Sequence, residues 1–256
     1  MKTISLSIDA EPDMHTGSYK GILALKKFSL ILDKRKIKAT FFATCDCIRK
    51  YPEIFRHLKK HGHEISLHGF SHVRFDRLPE KEKISQIKKS LDCFKKYLDI
   101  KPSGFRAPQH SIDNETLNIL EKNKFKYDSS YSPWNFFHMI LSRKNVRFSH
   151  NFTPQKIYKI RKNLYEIPIS TFILPVSALA LRALPVWMLR KFIFLIKCKK
   201  NIVFMMHSWD LIEIPESRLY KKCPLPEFLK KFEIFLDSFP SSRFKKLDEL
   251  IPPVKA

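Results

Sequence analysis

The chain alternates between two hydrophobic periods. Residues 3–9 (TISLSID) form an apolar run that ends on an acid, the pattern of a buried strand. Similar runs occur at 38–44 (KATFFAT), 63–68 (HEISLH), 104–108 (GFRAP), 125–129 (FKYDS), 164–170 (LYEIPIS) and 201–208 (NIVFMMHS). Between them the apolar residues fall three and four apart, as in Ile22, Leu25, Phe28 and Leu32, or in Ile84, Ile87, Leu91, Phe94 and Leu98. That spacing predicts amphipathic helices. Further helices are expected after Pro52, from about 114 to 122 and from 225 to 239, with FKKLDEL as a last short element. Strand and helix in alternation imply parallel pairing with helices outside, in one α/β domain over 1–256. In barrels of this kind, reactive side chains gather where the strands end. The strand ends here carry Asp9 with Glu11, His68 with His72, Arg106, Asp128 and His207.

Composition narrows the picture. An apolar content of 44% with 22 Phe argues for a packed core and against disorder. Five Cys, an odd number without CxxC spacing, fit a reducing compartment, with Cys45 and Cys47 alternating on a strand end. The opening MKTISLSIDAEPD lacks the apolar core of an export signal, so a cytoplasmic location is expected. The formal charge of +23 attracts anions: nucleic acid, lipid head groups or phosphorylated substrates.

The densest chemistry lies in GHEISLHGFSH, residues 62–72. His68 and His72 stand four apart across a glycine, and a turn of that length at a strand end brings two imidazoles onto one point. Two such rings make half of a divalent-metal site, and a third ligand with an open position would make it catalytic. His57, His61 and His63 lie in a Lys-rich amphipathic run, and most of them are expected at the surface.

Taken in order, IDAE, HGFSH, GFRAP, YDSS and FMMHS resemble the polysaccharide deacetylases, the NodB-homology or carbohydrate esterase family 4 group. The resemblance implies a distorted (β/α)7 barrel and hydrolysis of N-acetyl groups from sugars with a divalent metal, most often zinc. By the same resemblance Asp9 is the general base, Arg106 its ionic partner, and His68 and His72 metal ligands. His207 is the general acid. The acidic ligand is Glu11 or Asp13, because Glu11 replaces the family's usual Asp. Asp128 is the candidate carboxylate beside His207, Pro108 shapes the groove, and the family's Trp corresponds to Trp134 or Trp209.

Three readings compete. The first is a metal-dependent deacetylase of a polymeric, lipid-linked or nucleotide-linked N-acetyl sugar. The second is a metal-free amide or ureide hydrolase, motivated by Glu11. The third is a basic module binding nucleic acid or anionic membrane with a vestigial site; it ranks last, because a pure binder needs neither acid nor base. One stretch departs from the rest: about 167–197 is the most apolar part of the chain, interrupted by Pro175, Arg182, Pro185 and Arg190. Charges at that spacing argue against a membrane span. They leave an amphipathic insertion on the inner membrane face, or a helix packed on the barrel.

Overall fold

The structure is a computed structural model that describes residues 2–14, 16–133, 148–172 and 174–252. Ten strands are described: β1 (Thr3–Ala10), β2 (Thr40–Ala43), β3 (Glu64–Leu67), β4 (Gly104–Phe105), β5 (Tyr127–Asp128), β6 (Tyr158–Lys159), β7 (Tyr165–Glu166), β8 (Thr171–Phe172), β9 (Leu174–Pro175) and β10 (Asn201–His207). Eight of them form one curled sheet in the order β10-β1-β2-β3-β4-β5-β7-β6. Every neighbour pair is parallel except β6 with β7. The parallel set is thus the seven strands expected from the apolar runs. Ladders at β4, β5 and β7 are only two residues long, shorter than the runs that mark them.

The sheet is not closed by a β7–β10 ladder. The two flanks of the β8–β9 hairpin meet β10 instead: Ser170 N–H donates to the Val203 carbonyl (3.1 Å), and Met205 N–H donates to that of Val176 (3.0 Å). This covers an edge that would otherwise offer unpaired amides.

Among the described residues nine helices surround the strands: α1 (Lys20–Lys34), α2 (Cys45–Lys50), α3 (Pro52–Lys60), α4 (Glu80–Leu98), α5 (Asn114–Lys122), α6 (Ala178–Ala183), α7 (Val186–Ile196), α8 (Arg218–Lys222) and α9 (Leu225–Asp237). Their apolar stripes face the sheet. Phe228, Phe232 and Phe235 of α9 are buried, and Phe204 of β10 packs on Phe232 and Phe235 with ring centres 5.6 and 4.8 Å away. Cys45 and Cys47 lie in α2, not on a strand end. The Thr44 side chain accepts a hydrogen bond from Cys47 N–H and starts a helix there. All five cysteines are free.

The apolar stretch resolves into the β8–β9 hairpin, α6 and α7, broken at Pro185, where a proline opens the second helix. No helix among the described residues is long and apolar enough to cross a membrane.

Two glycines fix the site's surroundings. Gly69 has φ +88°, so the turn after β3 uses a conformation other residues resist. Gly21 lets α1 pack against the segment after β10; a Cβ there would sit 2.6 Å from the Ser208 carbonyl carbon.

Candidate functional site

β1 and β10 lie side by side in register, with Asp9 opposite His207, so two ends of the sequence deliver acid–base groups to one edge of the sheet. Two residues past Asp9 the chain turns Glu11 inward, where it is buried. His68 follows β3, and the Gly69 turn swings His72 back toward it, ring centres 5.6 Å apart. Glu11 Oε2 lies 2.5 Å from His72 Nε2 and 3.2 Å from His68 Nε2. Ligand atoms of these three residues all fall within 4.8 Å of one another.

Despite this crowding, Glu11 Oε2 is buried and receives no hydrogen bond. The atoms converge on a common point instead of facing one another as donor and acceptor. His68 shows why: its Nδ1 lies 2.8 Å from the Arg106 carbonyl, which only accepts. Nδ1 therefore carries the proton and Nε2 presents a lone pair to the site. A tetrahedral ion with ligands at about 2.1 Å would hold them about 3.4 Å apart; the 3.2 Å from Glu11 to His68 is close to this, and the 2.5 Å from Glu11 to His72 is shorter, so those two would part to admit an ion. Two imidazoles and a carboxylate are a donor set that first-row divalent ions accept. The residues fit a metal. His72 is partly exposed and leaves an approach from solvent.

The charges lean the same way. Burial alone would raise the Glu11 carboxyl, but the His68 and His72 rings outweigh it and hold it far below the usual carboxylate range. Burial would likewise lower His68, yet Asp9 and Glu11 draw its imidazole upward. Carboxylates that pull a proton onto a buried imidazole would pull a cation into the same space.

Asp9 faces a different partner. Arg106 Nη1 donates to Asp9 Oδ1 at 2.7 Å, with both side chains buried. Burial raises the Asp9 carboxyl, but the guanidinium overcomes it, helped by His68 and His207, and leaves it lowered. Every nitrogen of Arg106 is engaged: besides Nη1, Nε donates to the Ser129 carbonyl (2.9 Å), and Nη2 donates to the Ser7 and Ser129 hydroxyls (3.0 and 2.9 Å). Its plane lies over Phe42, 4.2 Å from the ring centre. Asp9 is thus held ionised by a fixed cation.

His207 Nε2 lies 3.8 Å from Glu11 Oε1. Its ring stacks on Trp209, 4.1 Å away at 7°. The carboxylate beside it is Asp210, and the expectation for Asp128 is corrected. Asp210 Oδ2 accepts from the His207 backbone N–H (2.9 Å) and lies 3.9 Å from Nδ1. Asp210 is held by the Tyr220 hydroxyl (2.6 Å), while Arg182, buried, donates to its carbonyl (2.9 Å). Asp128 sits on β5, where its carboxylate accepts from the Ser130 hydroxyl (2.7 Å). Burial raises its carboxyl and, with the charge of Asp128, raises that of Glu166 well above the ordinary range. The two form an acid pair away from His207.

Asp13, the other candidate acid, is turned into its own loop: its Oδ2 accepts from Thr16 N–H at 3.0 Å. Glu11 is the acid that joins the two histidines. Pro108 is buried next to the Gly69 turn. Trp209 supports His207, and Trp134 lies outside the described residues. Sequence reasoning missed Asp210, Arg182 and Tyr220; the signal for the first was an Asp three residues after a strand-end His. It also missed Gln109 and His110, both at positive φ (54° and 55°). These two line a cavity of about 430 Å³ that also reaches His207, Met206, Leu179 and Tyr220.

Comparison with known proteins adds a sequence and a fold relationship. A Helicobacter pylori peptidoglycan deacetylase is 28% identical over 122 residues, 48% of this chain and 42% of the relative. Chitin deacetylase 2 of Saccharomyces cerevisiae is 33% identical over 92 residues, 36% of this chain and 30% of the relative. The chain therefore matches less than half the length of these curated relatives. An allantoinase of known structure shares the fold, with a TM-score of 0.65 at 12% identity over 97% of this chain and 88% of that one. Residues 1–127 match the polysaccharide deacetylase family profile. That segment runs from before β1 to the first residue of β5 and includes Asp9, Glu11, His68, His72 and Arg106, so residues 1–127 belong to the polysaccharide deacetylase family.

Proposed function

We propose that the chain removes N-acetyl groups from a sugar, using a divalent ion, zinc foremost, held by Glu11, His68 and His72. The observation that carries this reading is the buried, unbonded Glu11 Oε2 between two imidazole nitrogens, flanked by the Asp9–Arg106 pair and by His207. A divalent ion bound there would supply Lewis acidity, polarising an acetyl carbonyl and acidifying water.

The remaining work falls to this chain's own groups. Asp9, kept ionised by Arg106, takes a proton from the attacking water. Its fixed ion pair keeps that carboxylate oriented without reorganisation during the step. His207, beside Glu11 and seated on Trp209, gives a proton to the departing nitrogen. The N–C(acyl) bond breaks, acetate leaves, and the amine retains the proton. Asp210 orients the His207 ring from behind through its link to the backbone N–H.

The test is acetate release from polymeric, lipid-linked and nucleotide-linked N-acetyl sugars, with a ureide alongside and metal content measured on the same samples. Acetate release that requires one bound ion per chain and disappears in His72→Ala supports the reading. Full activity in metal-free protein, or cleavage of the ureide alone, overturns it.

A further inference from the structure

From Ile167 to Trp209 the sequence contains no acidic residue, although Arg190, Lys191, Lys197, Lys199 and Lys200 all fall in it. α7 lies at the centre of this stretch and is apolar on both sides. Leu189, Phe192, Ile193 and Ile196 point inward and are buried. On the outer side Trp187 is 61% exposed and Phe194 72%, with Val186, Met188 and Leu195 also exposed. Trp187, Arg190, Lys191 and Phe194 follow at three- and four-residue intervals and so share one face. Lys191 Nζ stands 5.2 Å from the Trp187 ring centre.

An ordinary surface helix puts charge outside and apolar residues inside. This one shows solvent a broad apolar face, the kind of patch soluble chains normally cover. Aromatic rings interleaved with cations match one occupant in particular. At a lipid surface, rings settle at the head-group level while Arg and Lys extend their stems along apolar surface and meet the phosphates. A second copy fits poorly, because a two-fold contact through this face sets Arg190 and Lys191 against their own copies with no acid to separate them.

We propose that the outer face of α7 docks the chain on an anionic lipid surface, with the helix lying in the head-group plane. Trp187 and Phe194 enter the acyl boundary, and Arg190 and Lys191 pair with lipid phosphates. The helix is only 11 residues, about 16 Å long, so it rests on the surface and does not cross. The docking face also adjoins the site in the chain. α6, whose Ala178 and Leu179 line the cavity beside His207, passes to α7 through Leu184 and Pro185. A surface-bound chain would therefore hold its cavity close to lipid-borne substrates.

The test is cosedimentation of the full chain with phosphatidylcholine vesicles, with and without phosphatidylglycerol. Binding is expected only with the anionic lipid, and it weakens with salt. Trp187→Ala/Phe194→Ala and Arg190→Ala/Lys191→Ala should each lower partitioning about tenfold. Lys88→Ala/Lys89→Ala removes the same charge from exposed positions of α4 and should change it less than about twofold. In the unaltered protein, brominated acyl chains should quench a tryptophan emission that is missing in Trp187→Phe, which keeps the test independent of how the alanine variants fold. Equal losses in the α4 control, no vesicle binding, or a dimer that Trp187→Ala dissolves would each overturn the proposal. Acetate release from a soluble substrate should be unchanged by the α7 variants, so failure here and failure of the deacetylase reading are separate results.

Discussion

Two buried glutamates, one at each end of the same sheet, show what separates a structural acid from a reactive one. Glu64 opens β3 and is saturated. It accepts from the hydroxyls of Thr40 (2.7 Å), Ser66 (2.9 Å), Ser103 (2.8 Å) and Tyr127 (2.9 Å), and from Asp248 N–H (3.2 Å). Glu11, just past β1 at the opposite end, has imidazole nitrogens at similar distances but no hydrogen bond to Oε2. Neutral hydroxyls solvate Glu64 and complete its charge locally. Beside Glu11, His68 turns the lone pair of its Nε2 to the site, so the charge of the glutamate is left for a cation. Burial is the same in both; the difference lies in what the neighbours donate.

The sharpest way to break that comparison is to remove one oxygen from each acid. Glu11→Gln should lower acetate release about 10³-fold or more while leaving the melting temperature of metal-free protein nearly unchanged. Acetate release near the unaltered level would deny Glu11 a ligand role. Next in size is the effect of the ion itself. At about 100 times its dissociation constant, a bound metal should stabilise the chain by about 2.7 kcal/mol, read as a rise in melting temperature that chelator reverses. The same titration on Glu11→Gln should give almost no shift, and an equal shift would place the ion elsewhere.

Glu64→Gln should behave in the opposite sense. An amide group would turn a donor toward hydroxyls that already donate, costing about 2 kcal/mol in denaturant unfolding. Acetate release per folded molecule should persist; its loss would make Glu64 part of the reaction. The smallest effect concerns Asp248, on the Glu64 side. Burial first, and then the charge of Glu64, push its carboxyl up to about 6 from 3.8. The folded chain thus keeps a proton that the unfolded chain releases, so stability falls as pH rises through that interval and levels off above it. Asp248→Asn should flatten this slope, read as the change in melting temperature between the two ends of the window. An unchanged slope would assign the titration to another group.

Much of this contrast was legible in the sequence because parallel strands, buried on both faces, read as apolar runs with reactive residues at their ends. Asp9, His68, Arg106 and His207 were found by that rule. The rule says which end of the sheet a residue occupies, but not how far around it. Asp128 therefore looked equivalent to any other strand-end acid, although β5 lies four strands beyond β1 in the sheet order, with β10 on β1's other side. Asp210 escaped because it lies in the turn after β10, where the backbone bends it back onto His207. Glu11 and Asp13 stood level in sequence, separated only when the loop turned Asp13 onto Thr16. Cys45 and Cys47 were misplaced because alternation in a three-residue window is shared by a strand end and a capped first helical turn.

The pairing of Asp9 with His207 also sets an order in time. During synthesis, Glu11, His68, His72 and Arg106 are all present long before β10 is made, so the proposed ligand side chains and the Asp9–Arg106 pair can assemble first. The outer edge of β1 stays unpaired until residues 201–207 arrive, and only then does the proton donor come into place. On the proposed reading, ion capture and turnover would then be completed at different moments of the chain's life, and a nascent chain that stops short of β10 would hold a metal without being able to use it.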